Sequence, residues 1–337
     1  MQGGIRVKKP INFSHTLWSL LCLLVCALPA SASDFIGQKK NASFWGVAAG
    51  KGFANAVGTD GAIFLKEKKR QWRAVLFKRS PFLFAIDVVR RNIVVAVGSA
   101  GGLASGQGVI LRSTDRGRTF STVGKTANQP LYEVQFVNGK VGYAAGVGGA
   151  LLKSRDGGKE WRRLKTGTRA KFWAIHFFDE RVGLIGGGDT PWQNNDKSSG
   201  LILRTSDGGG SWKKVHVGRN RISDISFVND TVGYAGGVNG QLLKSTTGGV
   251  TWKKLGATPL GAIINAVEFV NERCGVIVGN GGTAYVTNNG GKSWPFEIKV
   301  TKGSFLEDLD PAGGKAFLVA AGNGTVGRLD IARFCKL

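Results

Sequence analysis

Five times between residues 111 and 294 the chain returns to one short unit: the end of an apolar strand, a turn of small polar residues and glycine, and an aromatic. It stands as LRSTDRGRTF at 111–120, LLKSRDGGKEW at 151–161, LRTSDGGGSW at 203–212, LKSTTGGVTW at 243–252 and YVTNNGGKSW at 285–294. The closing aromatics, with Trp72 ahead of them, lie 40 to 51 residues apart. A repeat of that length is one supersecondary unit that cannot bury its apolar face alone, so the fold must be an array of such units.

Each unit carries four strand signals. In the third, 134–137 alternates apolar and polar, 141–147 is apolar with small residues, 151–153 is short, and 161–164 follows the turn. Asn138-Gly139 between the first two is a hairpin signal, because both positions tolerate positive φ. Four antiparallel strands repeated radially describe a β-propeller. Seven segments align, starting at Phe44, Phe84, Tyr132, Phe172, Ile222, Ile264 and Phe305. The expectation is all-β: a seven-bladed β-propeller of four-stranded antiparallel blades over 33–337. Glycine, at 52 of 337 residues, then marks turns; 42% hydrophobic residues and only 8 prolines exclude a disordered chain.

Alternating strand directions put the glycine turns on one face and the longest insertions, 98–108 and 186–200 with Trp192, on the other. Long loops on a rigid scaffold are where binding usually sits. The turn itself matches the Asp-box, and its chemistry is structural: Asp115, Asp156 and Asp207 are placed to accept turn N–H groups, and Trp161, Trp212, Trp252 and Trp294 to pack between sheets. Thr247 and Asn289 replace the acid in two copies. A shared catalytic role would not tolerate that.

The formal net charge is +24, a field that attracts acidic protein surfaces or anionic headgroups. Basic residues after the closing aromatics (Arg73, Arg162-Arg163, Lys213-Lys214, Lys253-Lys254) fall on outer strands, where charge blocks edge pairing. A denser set lies in the early blades: Lys66, Lys68, Lys69, Arg70, Arg73, Lys78 and Arg79, with Arg90 and Arg91 close behind. These are candidates for contact with a membrane-protein subunit or other acidic surface, and with an anionic membrane. No nucleic-acid reading module is present.

Residues 1–32 read as an export signal, with Arg6, Lys8 and Lys9, an apolar run at 17–28 and the cleavage signature Ala30-Ser31-Ala32. Localisation to a periplasm or thylakoid lumen, with membrane association, is expected. A lipid anchor at Cys26 has a poor small-residue context. Of four cysteines, Cys274 and Cys335 remain after cleavage; Cys274 sits in an apolar strand and is expected as a buried free thiol.

Catalytic signatures are missing: no HExxH, no G-x-S-x-G, and histidines at unrelated repeat positions. The chain is read as a non-enzyme with no cofactor and no metal. The acids Glu133, Asp179, Glu180, Asp224, Glu268, Glu307 and Asp308 sit one or two per blade, so a hydrolytic pair could form only across blades. A sialidase-like or other glycoside hydrolase is the alternative. Sialidases use six blades and an Arg-Ile-Pro motif; this chain has neither, and Tyr143 and Tyr234 share one repeat position, VGYA, that suits packing.

The unit V-x-F-x-N/D-x-x-x-G-x-x-x-G, then L-x-[KR]-[ST], then D-G-G-x-x-W resembles that of the photosystem II stability/assembly factor family. It stands here as VQFVNGKVGYAAG with LLKSRDGGKEW, and ISFVNDTVGYAGG with LLKSTTGGVTW. The resemblance implies an exported seven-bladed propeller that binds newly made membrane subunits through an arginine-rich surface. The family's arginines before the turn correspond to Arg112 and Arg204, with Lys153 and Lys244 at the equivalent positions.

Overall fold

The computed structural model describes residues 42–67, 70–75, 77, 81–102, 106–188 and 200–335. The export signal, Cys26, Lys68, Lys69, Lys78, Arg79 and Trp192 lie outside the described residues. The chain forms seven antiparallel sheets, each running in sequence order from the axis outward. The first strands are Phe44–Gly50, Phe82–Arg90, Leu131–Phe136, Phe172–Phe177, Ile222–Phe227, Ile264–Phe269 and Leu306–Pro311, and they lie side by side around a ring that closes from the last to the first.

Among the described residues, seven separate apolar clusters, not one core, hold the ring, and each lies between two adjacent blades. Leu65 and Val57 of blade one meet Leu83 and Val94 of blade two, and Phe44 and Ala56 of blade one meet Ala320 and Val326 of blade seven. The second strand of each blade is covered on both faces; Gly142–Gly146 and Gly275–Gly279 are buried throughout. That double burial is why these strands are apolar without alternation and rich in small residues. The glycine opening the second strand has a steric reason. A Cβ on Gly142 would come within 2.5 Å of the Phe136 ring opposite it, and one on Gly183 within 2.2 Å of Phe177.

The repeated turns behave as the sequence leads one to expect. Asp156 Oδ1 accepts from Ser154 Oγ (2.9 Å) and from the amides of Lys159 (2.9 Å) and Glu160 (3.1 Å). Gly157 and Gly158 take φ of 75° and 81°. Thr247 Oγ1 and Asn289 Oδ1 accept the equivalent amide in the two neutral copies, at 2.9 and 3.0 Å. Trp161, Trp212, Trp252 and Trp294 each pack in the apolar layer against the preceding blade. Asp156→Asn, which keeps an acceptor oxygen but loses the charge, should therefore lower the unfolding midpoint less than removal of the acceptor does. Asp156→Ala, which strands the Ser154 hydroxyl and two turn amides, should cost about 1 kcal/mol, the usual loss on deleting such a cap. Equal losses for the two variants in a denaturant melt would show that the acceptor is not what matters.

Two features depart from expectation. The seventh blade has three described strands, Leu306–Pro311, Ala316–Ala321 and Val326–Asp330, not four. In place of a fourth, the chain turns through a short 3-10 segment, Ala332–Phe334, and Phe334 stacks on Phe296 of blade six. The second is that Cys274 is not a free thiol: it is bonded to Cys335, with Cα atoms 5.6 Å apart, within the usual range for a disulfide. The strand context suggested an inert buried thiol; the partner comes from 61 residues away, where the ring brings the C-terminal segment back onto blade six.

Candidate functional site

The expected binding cations divide into two groups with different surroundings. Arg112, Lys153, Arg204 and Lys244 stand on the third strands of blades two to five. Three of them donate across the blade interface to a carbonyl of the next Asp-box turn. Arg112 Nε reaches Gly157 O (2.8 Å), Lys153 Nζ reaches Gly208 O (2.9 Å) and Arg204 Nε reaches Gly248 O (3.0 Å). Lys153 is 6% exposed and lies 4.8 Å from the Tyr143 ring centroid; Lys244 lies 5.1 Å from that of Tyr234. Burial, helped by Arg155, pulls Lys153 below the usual ammonium range. A lysine serves here as well as an arginine because the acceptor is one carbonyl, which needs a single donor and not a fork. Tyr143 and Tyr234, fully buried, stack on Phe177 and Phe269 of the next blade at 3.5 and 3.6 Å.

Arg70, Arg73, Arg90 and Arg91 are exposed, and Lys66 is partly so. Arg90 closes the first strand of blade two, and Arg70 follows the third strand of blade one, so both lie at the Asp-box end. Among the described ion pairs, Arg73 and Arg118 share one acid, Glu67. A single carboxylate between two guanidiniums leaves this corner of the face positive.

The other end of the ring holds the feature the sequence concealed. In all seven blades the inner strand carries a β-bulge, where register shifts at Trp45, Phe84, Tyr132, Trp173, Ser223, Asn265 and Glu307. Strict alternation would send the bulged residue and its successor to opposite faces; a bulge re-aims the extra side chain. Tyr132 with Glu133, Ser223 with Asp224, and Glu307 with Asp308 all line one cavity at the mouth of the central channel, about 220 Å³ in volume. It lies at the face of the links between second and third strands, since these bond to the segments that lead into the next blade's inner strand, as in Gly149 N to Ala170 O (2.8 Å).

Four aromatics form a crescent on one side. Trp45 stacks on Phe84 (5.0 Å between centroids), Phe84 meets Tyr132 edge-on (4.9 Å), and Tyr132 stacks on Trp173 (4.1 Å). The Arg221 guanidinium continues the row, 4.2 Å from the Trp173 ring centroid. Opposite stand Ser223, Asn265 and Glu307, with Glu133, Asp224 and Asp308 one layer deeper. Below these, Asp87, Glu268 and Asp310 occupy the next inward positions of their strands. The carboxylates also stitch the ring: Asp224 Oδ2 accepts from Val267 N (2.8 Å), Asp308 Oδ2 from Val47 N (2.9 Å) and Asp310 Oδ2 from Ala49 N (2.7 Å).

Burial pushes all of them up. Asp87 and Asp224 rise to about 6 and Asp310 to about 7; Glu133, Glu268 and Asp308 lie well above the carboxylate range, with neighbouring acids adding to the burial. Glu307 rises to about 7 by burial, restrained by Arg221, itself pulled down to about 10. Among the described residues, no group of three or more His, Cys, Asp or Glu is arranged to hold a metal ion. The acids were visible one or two per blade; their convergence was not. The aromatic one or two residues ahead of V-x-F or its equivalent was the available signal.

Residues 160–322 match the family model described as photosynthesis system II assembly factor YCF48. No curated protein matches the chain. Among solved structures, "YCF48 bound to D1 peptide" superposes with a TM-score of 0.69 at 12% identity, covering 88% of this chain and 96% of that one. YCF48 from Cyanidioschyzon merolae gives 0.68 at 16% identity, over 88% and 99%. The WD40 propeller domain of Doa1 gives 0.66 at 14%, over 89% and 98%. At these identities the superpositions speak for the propeller and the family model for the kind of repeat. Residues 160–322 thus match the repeat of the photosystem II assembly factor family, the family that the unit read from the sequence resembles.

Proposed function

We propose that the chain is an exported, non-enzymatic assembly or stability factor that docks a membrane-protein subunit through the basic Asp-box face of its first blades. The observation that carries this reading is the family match over 160–322. A structure of similar fold is described as YCF48 bound to a D1 peptide, a segment of a membrane protein. The exposed cations Arg70, Arg73, Arg90 and Arg91 supply the contact; Arg112, Lys153 and Arg204 are engaged within the ring. A Cys274–Cys335 disulfide suits an oxidising compartment and so accords with export to a periplasm or thylakoid lumen.

Salt-sensitive capture of a membrane subunit should be lost when Arg70, Arg73, Arg90 and Arg91 are all changed to glutamate, because charge at such a rim governs encounter. Capture from solubilised source membranes at 50 and 300 mM salt tests this. Unchanged recovery by the variant would overturn the reading, and equally tight binding to bare anionic vesicles would replace a protein partner with the membrane surface.

One observation favours a second reading, a glycoside hydrolase: carboxyl groups from blades three, five and seven do meet across the channel. Turnover of aryl glycosides or sialosides that disappears in Glu133→Gln would establish it in place of the first.

A further inference from the structure

The cavity at the channel mouth sits in a chain of net charge +24, yet among the described residues Arg221 is the one cation that lines it. Glu307 answers Arg221, leaving Glu133, Asp224 and Asp308 without a counter-charge in the same space. Aromatic faces and carboxylates together are the surroundings that a desolvated ammonium or quaternary ammonium favours. Arg221 already shows that a cation lies stably on this row, over Trp173.

A plain cation would not complete the site. Arg221 is 7% exposed; its Nη2 donates to Ser223 Oγ (3.3 Å), but its Nε has no acceptor. The indole Nε1 of Trp173, against which it stacks, is buried and likewise without one. Two unanswered buried donors side by side are costly, at about 1–3 kcal/mol each, and they ask for an oxygen acceptor. A plain anion would face the carboxylates. A cavity of about 220 Å³ also falls below the roughly 300–1,000 Å³ of drug-sized ligand sites, which excludes an oligosaccharide chain.

We propose that the channel mouth binds a small zwitterion of the betaine or amino-acid type. Its ammonium lies against the Trp45–Phe84–Tyr132 row above Glu133 and Asp308, and its carboxylate is taken by Arg221 and the indole N–H of Trp173. The ligand's ammonium then faces carboxyls that have no cation beside them among the described residues, and its carboxylate faces two donors that have no acceptor. The site opens on the face opposite the exposed arginines, so it is independent of the docking surface and does not rest on that reading.

Calorimetric titration and thermal-shift measurement on the mature chain, with glycine betaine and small neutral amino acids as probes and tetramethylammonium, acetate and glucose as controls, test the proposal. A zwitterion is expected to bind at least about 10-fold more tightly than tetramethylammonium, about 1.4 kcal/mol, with acetate and glucose silent. Arg221→Met should erase the zwitterion's advantage and leave tetramethylammonium binding in place; Trp45→Leu should weaken both. Trp173→Phe, which keeps the ring and removes only the N–H, reads the same contact if Arg221→Met does not fold. Preference for tetramethylammonium, acetate or glucose, no binding by any probe, or a zwitterion affinity that neither Arg221→Met nor Trp173→Phe reduces would each overturn it.

Discussion

Changing Cys335 to serine should cost about 4 kcal/mol of stability, the chain-entropy value for a cross-link closing a loop of 61 residues. The effect is large here because of how the ring closes. Blade one is built wholly from residues 44–74 and blade seven wholly from residues 306–330, so no strand is exchanged between the chain's two ends. Closure rests on side chains: the Asp308 and Asp310 bonds to Val47 and Ala49, and the apolar cluster that joins Phe44 to Ala320 and Val326. Blade seven lacks a fourth described strand, and the disulfide, together with Phe334 stacked on Phe296, holds the C-terminal turn against blade six. Urea melts of the oxidised protein, Cys335→Ser and Cys274→Ser should give equal midpoints for the two variants, both well below the parent. A loss under about 1 kcal/mol would show that packing alone fixes the terminus.

Stability should fall as pH rises from 5 to 8, the reverse of ordinary acid sensitivity. The channel carboxyls Asp87, Glu133, Asp224, Glu268, Glu307, Asp308 and Asp310 all have folded-state values above those of free carboxylates. Between about pH 4, where the unfolded chain releases these protons, and about pH 6–7, where the folded ring does for the four with moderate rises, the folded state binds more protons. Their contribution is therefore complete below pH 4 and lost as pH rises through the folded values. His176, pulled down to about 4 by burial, and His216, also pulled down by burial, act in the opposite sense below pH 6.5, but they are two groups against seven. The Arg221 cation, the remaining charged group at the mouth, keeps its charge throughout this window. Asp115, Asp156 and Asp207, held below the usual range by turn hydrogen bonds, lose their contribution only on further acidification. Calorimetric unfolding from pH 4 to 9 should thus show a maximum near pH 5, and Asp308→Asn should flatten the decline above it. A midpoint that climbs steadily to pH 8 would mean that channel water screens these carboxyls fully.

The alignment of seven repeat segments was enough to give seven blades and their strand order, and the Asp-box turn the place of Trp161, Trp212, Trp252 and Trp294, because each is decided within one unit and its neighbour. Asp156 could be read as a turn acceptor for the same reason. Arg112, Lys153 and Arg204 were harder. As sequence they are cations ahead of a turn, and only the packing of one blade on the next shows their donors committed to the carbonyls of Gly157, Gly208 and Gly248.

What the sequence determined by itself is what a period of two and a period of about forty can encode: strands, turns and the array. The tertiary structure decided the rest. A bulge on each inner strand breaks the period of two and turns Tyr132 with Glu133, and Glu307 with Asp308, toward one channel. Ring closure then brings together side chains from blades one to seven that no local pattern relates. The same closure sets Cys335 beside Cys274, because a circle returns its end to its beginning and a linear pattern does not record that it will.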